Sequence, residues 1–165
     1  MRTSPDPCST AHGTPAPAVG TKTLVVVFTG AVADHLLRYG ADLGYRTLHV
    51  EPEPARATAD STALPPDLDT DTDVVFTDHH RPELTAVLRD ALAVPTRWIG
   101  VMGNPRHPAP YVEGLRALGV AEPDIERVHR PIGLNIGSRT PAEIAIATLA
   151  GLIADRNDRP GGFAF

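Results

Sequence analysis

Residues 23–50 read TLVVVFTGAVADHLLRYGADLGYRTLHV, and the fold turns on how this stretch is parsed. Thr23 to Phe28 is an unbroken apolar, largely β-branched run, the kind a strand buried on both faces needs, as in a parallel sheet. Thr29-Gly30 makes a turn. From Ala31 the positions Val32, Leu36, Leu37, Gly40 and Leu43 keep helical spacing, and Gly44 reads as the stop. Arg46 to Val50 is a second strand, ended by Glu51-Pro52. Strand, helix and parallel strand within about 30 residues make a βαβ unit, whose crossover is right-handed. The predicted class is therefore α/β, a Rossmann-like, mainly parallel sheet with crossover helices.

The rest of the chain extends that unit. Residues 52–72 are rich in Pro and Asp and predict an irregular connection, long for a compact domain. Asp73 to Thr77 predicts a third strand and Leu84, Val87, Leu88, Ala91 and Leu92 an amphipathic helix. Thr96 to Val101 predicts a fourth strand, followed by the turn Met102-Gly-Asn-Pro-Arg106. Tyr111, Val112, Leu115 and Leu118 line a helix stopped at Gly119, and a short helix is predicted over 122–127. Thr140-Pro141-Ala142-Glu143 combines an N-cap Thr, a Pro at the first helical position and a Glu at the third, a capping box opening the last helix. Residues 1–21 carry almost no large apolar side chain to offset their ordering entropy and predict a disordered tail, with Cys8 an incidental residue in it. The domain is expected over 22–157, with a frayed tail over 158–165.

Totals narrow the function classes. The chain has 165 residues, enough for one domain with a real core. Its net charge of −5 and its 5% aromatic content argue against nucleic-acid or anionic-membrane partners, which need basic surfaces. One cysteine allows no internal disulfide, which fits a reducing compartment. No signal-peptide stretch opens the sequence, and no apolar run reaches the roughly 20 residues of a membrane span, so a cytoplasmic location is expected.

Ligands of open α/β sheets sit beyond the carboxyl ends of the strands. Thr29, Gly30 and Ala31 form the first such turn, where a helix N-terminus would face a phosphate. Glu51, at the tip of the second strand, stands where an acid would bind ribose hydroxyls, although G-x-G-x-x-G itself is absent. Thr77, Asp78 and His79 follow the third strand. The Asp78-His79-His80 run also occurs in metal phosphoesterases, but no second ligand cluster accompanies it and no metal site is predicted. Gly103 and Asn104 follow the fourth strand. Asn135, Gly137, Ser138 and Arg139 precede the capped helix and could bind an anion. No Gly-x-Ser-x-Gly elbow marks a hydrolase. Met102 and Trp98 read as packing residues, and His107 and His129 as surface or loop histidines.

The stretch PIGLNIGSRTPAEIA, residues 131–145, resembles the C-terminal signature of the XdhC/CoxI family, close to P-I-G-L-D-I-G-A-x-T-P-E-E-I-A. VVFTDH and WIGVMGNPRH resemble further family segments in the same order, over about residues 23–157. The resemblance implies a Rossmann-type domain, a nucleotide or dinucleotide ligand, NAD(P) among the candidates, and a role in handling the molybdenum cofactor for xanthine dehydrogenase-type enzymes. A molybdenum hydroxylase partner and a homodimer are implied with it. The chain departs from the family in a shorter, glycine-poor first turn and in Asn135 for the signature Asp. The expected disordered tail stands where the family has a separate N-terminal domain, and the stretch between Glu51 and Asp73 allows for a sheet reduced by one strand. Two alternatives stand beside this reading: a protein-binding module with a decayed nucleotide site, and an NAD(P)-dependent oxidoreductase. Catalytic residues are not assigned, and enzyme status stays open.

Overall fold

The structure is a computed structural model that describes Ala11, residues 21–56 and residues 59–162. The expected N-terminal tail, with Cys8, lies outside these residues apart from Ala11 and Thr21. Five strands form one sheet: β1 Thr23–Val27, β2 Arg46–Val50, β3 Thr72–Phe76, β4 Trp98–Val101 and β5 Val128–His129. Their order is β2-β1-β3-β4-β5, and every pairing is parallel. This is the Rossmann order without its outermost strand beside β2. In that strand's place the connection makes a single parallel bridge, Val50 with Ser61, after a short 3-10 turn at Pro54–Arg56. β5 is the element the sequence reading missed. Two residues are too few to show a period, and only their pairing with Ile99 and Gly100 defines them.

The helices are α1 Ala31–Asp42, α2 Leu84–Leu92, α3 Pro110–Ala117, α4 Glu122–Ile125 and α5 Pro141–Arg156. Strand alternation explains the layers. Leu24, Val26 and Val75 point to the face covered by α1 and α5, where they meet Leu36, Leu149 and Leu152. Val25, Val27, Val74 and Phe76 point to the other face and pack with Leu84, Leu88 and Leu115 from α2 and α3. Both faces of the central strands are thus covered, which is why their sequences run apolar without a break.

The capping box of α5 is formed. The Thr140 hydroxyl accepts the Glu143 N–H at 3.3 Å, and the Glu143 carboxylate accepts the Thr140 N–H at 3.1 Å. Past that helix the chain stays attached: the Arg159 N–H donates to the Ala154 carbonyl at 2.9 Å. No helix among the described residues is long and apolar enough to cross a membrane.

Candidate functional site

The carboxyl ends of β3 and β4, the loop over residues 131–138 and the first half of α5 enclose a cleft of about 870 Å³. Of the residues singled out from sequence, Thr77, Asp78, His79, Gly103, Asn104, Asn135, Gly137 and Ser138 line it. Thr29, Gly30, Ala31, Glu51 and Arg139 do not. The sequence pattern does not single out Val32, Arg106, Ile132 or Thr148 as lining residues, and it favours packing for Met102, which also lines the cleft. An apolar residue in a cleft wall has the same periodicity as one in the core, so pattern could not separate them.

Each wall has a local cause. The Thr77 hydroxyl donates to the carbonyls of Val27 at 3.0 Å and Phe28 at 3.2 Å, tying the end of β3 to the end of β1. Asp78 accepts the His80 N–H at 2.8 Å in a side-chain turn, which presents His79 to the cleft. Burial holds the His79 imidazole below its ordinary pKa. The charges of His80 and Arg130 add to that, while Asp78 and a backbone bond at Met102 oppose it. His79 therefore faces the cleft as a neutral imidazole at pH 7, able both to donate and to accept.

Arg130, which no motif singled out, braces the β4 loop. Its guanidinium donates to the Asn104 carbonyl at 2.9 Å and the His107 carbonyl at 3.0 Å. Gly103 leaves room for it, because a Cβ there would stand 2.7 Å from Arg130 Nε. The loop opposite is seated on α5 by a similar close approach. The Leu134 N–H donates to the Ala147 carbonyl at 3.0 Å. Gly133 has φ +84°, and a Cβ on it would meet the Ala147 carbonyl carbon and the Thr148 nitrogen at 3.1 Å. Gly133→Ala should therefore cost about 2–3 kcal/mol, from left-handed strain plus overpacking against a helix backbone. Denaturant titration checks this, and a loss under 0.5 kcal/mol would mean the loop is not held by that contact.

Glu51 differs most from its expected place. It is fully buried behind the first turn rather than open to a ligand. Its two oxygens accept Arg81 at 2.7 Å and 3.1 Å, the Thr29 N–H at 2.9 Å and the Glu53 N–H at 3.0 Å. Burial alone would push this carboxyl up, but the Arg81 guanidinium and the two backbone donors outweigh it and hold the pKa down at about 2. Arg81 also lies 4.6 Å over the ring of Phe28, whose φ of +79° is unusual for a bulky residue.

At the α5 entrance the donors are similarly occupied. The Glu143 carboxylate takes the Arg139 N–H at 2.6 Å as well as that of Thr140, so Arg139 marks the rim of the capped turn and not the cleft wall. His129 is stacked on Trp98 with ring centroids 5.0 Å apart, a packing role for both. Among the described residues no group of three or more His, Cys, Asp or Glu side chains is placed to hold a metal ion.

Comparison with known proteins places this arrangement. The family model of the XdhC Rossmann domain matches residues 24–152. The chain is 44% identical over 68 residues to the uncharacterized protein YqeB of Escherichia coli K12, a match covering 41% of this chain and 13% of that protein. It shares its fold with the crystal structure of a xanthine dehydrogenase from Bacillus halodurans, with a TM-score of 0.65 at 22% identity over 87% of this chain and 45% of that one. The chain spans less than half the length of either protein.

Proposed function

Because the chain belongs to the XdhC family through its Rossmann domain, we propose that its cleft binds a nucleotide-containing ligand and that the chain acts as an accessory factor handling the molybdenum cofactor for xanthine dehydrogenase-type enzymes. The observation that carries this reading is the cleft itself. It lies at the carboxyl ends of the strands, where open α/β sheets bind ligands, and its volume of about 870 Å³ is in the range of small-molecule sites. Aliphatic side chains such as Val32, Ile132 and Leu134 offer flat apolar contact to a heterocycle. Asn104, Asn135, Ser138 and Thr148 offer donors and acceptors to its edges, and Arg106 brings a guanidinium to the rim. The molybdenum cofactor enters as cargo, and these amide, hydroxyl and guanidinium groups would contact its organic part.

A thermal-shift panel of NAD, NADP, FAD, ATP, CTP and molybdopterin nucleotides tests the site. A ligand at 100 times its dissociation constant should add about 2.7 kcal/mol and raise the melting temperature by several degrees. Asn104→Ala combined with Asn135→Ala should remove most of that shift. A flat panel on folded protein would overturn nucleotide binding. For the accessory role, a molybdenum hydroxylase produced together with the chain should carry more molybdenum than one produced without it, and equal metal content would count against that role.

A further inference from the structure

In a Rossmann domain that takes a dinucleotide, the N–H groups of the first turn face the pyrophosphate, and the acid ending the second strand holds the adenosine ribose. Here the acid and the first N–H of that turn are paired from within the chain. The Thr29 N–H donates to Glu51 at 2.9 Å, and Glu51 receives a bidentate Arg81 rather than ribose hydroxyls. Arg81 comes from the β3–α2 loop, reaches across the end of β1, lies over the Phe28 ring and is itself buried. Its guanidinium thus spans the ends of β1 and β2, where an adenosine would lie. The cleft is displaced accordingly: it begins at Val32 and extends over β3, β4 and α5, without touching Thr29, Gly30 or Ala31.

Resting on the nucleotide reading above, we propose that the Glu51–Arg81 pair closes the adenosine half of the crevice, so that the ligand of this chain is of the mononucleotide class, one heterocycle with a single phosphate group, held in the β3–β4–α5 half. Two features of that half suit such a ligand. Apolar side chains of its lining, Val32 and Ile132 among them, can contact one ring, and Arg106 can take one phosphate. A second nucleotide would have to displace a buried ion pair.

The test is isothermal titration of the whole chain with mononucleotides, each against the pyrophosphate-linked dinucleotide that contains it. AMP and NMN are set against NAD, AMP and FMN against FAD, and GMP and CMP against their 5′–5′ linked dimers. At least one mononucleotide should bind, with its dinucleotide at least tenfold weaker. A dinucleotide that binds as tightly as its own half, or more tightly, would overturn this proposal and leave the nucleotide reading standing. No binding by any probe would overturn both. Arg81→Ala vacates the crevice and frees the Glu51 carboxylate, so it should narrow the tenfold preference. An unchanged preference in folded variant would remove the pair from its assigned role, and if the variant does not fold the wild-type ratio decides.

Discussion

Arg81→Ala should lower the stability of the fold by about 3–5 kcal/mol, the scale for breaking a buried ion pair from one side. At about 2–4 °C per kcal/mol for a chain of this size, the melting temperature should fall by about 6–20 °C. The cost comes from what is left behind. Glu51 is fully buried, and without Arg81 its charge keeps only the two backbone donors of Thr29 and Glu53. Glu51→Ala should cost less, because Arg81 retains Glu83 at 3.2 Å, and Glu83 is partly exposed to solvent. Replacing both partners with methionine should cost less than Arg81→Ala, since no uncompensated charge remains. The acid limb carries the same information. The folded Glu51 carboxyl sits at about 2, below its ordinary 4.5, so its contribution is complete above about pH 4.5 and is lost as the pH falls towards 2. Denaturant titrations from pH 7 to 2 should show that loss in the wild type and a much shallower one in Arg81→Ala. Equal acid limbs, or a loss under 1 kcal/mol at pH 7, would show that the pair contributes little.

Nothing local in the sequence marks this pair. A carboxylate at the tip of the second strand has the same local signature whether it awaits a ribose or an arginine. The deciding residue, Arg81, is 30 positions away in the run DHHRPEL, and no short-range period connects the two. The elements themselves were legible because their signals are local. The apolar run of β1, the helical spacing from Ala31 and the Thr140 to Glu143 capping box each appear in the structure within a residue or two of their expected place. The loops after β3 and β4 and the segment ahead of α5 were legible as cleft walls because topology alone brings strand ends to one edge. What remained hidden depends on pairing at a distance: Arg130 bracing Asn104, Gly133 lying on α5, and β5, which exists only through its neighbour.

Asp73 is the second such case, and its removal should be the other large loss. From sequence it is only the first residue of the third predicted strand, after an Asp-rich connection. The structure buries it completely on β3, at the end of the sheet opposite the cleft and on the face that α1 and α5 cover. One oxygen accepts Arg97 at 2.7 Å. The other accepts Arg156 at 2.9 Å and the Tyr45 hydroxyl at 3.2 Å. Arg156 is the last residue of α5 and also donates to the Asp71 carbonyl at 2.7 Å, so Asp73 anchors the end of the helix whose beginning forms the cleft wall. Burial and the Asp73 charge raise the Tyr45 pKa, so its hydroxyl stays a donor at neutral pH. Asp73→Ala should therefore cost about 3–5 kcal/mol, because two guanidinium groups lose the buried carboxylate between them and keep only the more exposed Asp155 and Asp71. Asp73→Asn keeps the shape and part of the hydrogen bonding and should fall between that and the wild type. Asp155 also pairs with Arg97 but is well exposed, so Asp155→Ala should cost under about 1 kcal/mol. Denaturant titration of the three variants gives the ranking, and hydrogen exchange locates the effect: in Asp73→Ala the amides of the last turn of α5 should lose protection before those of its first. Equal losses from Asp73→Ala and Asp155→Ala would show that the exposed pair, and not the buried carboxylate, holds α5 to the sheet.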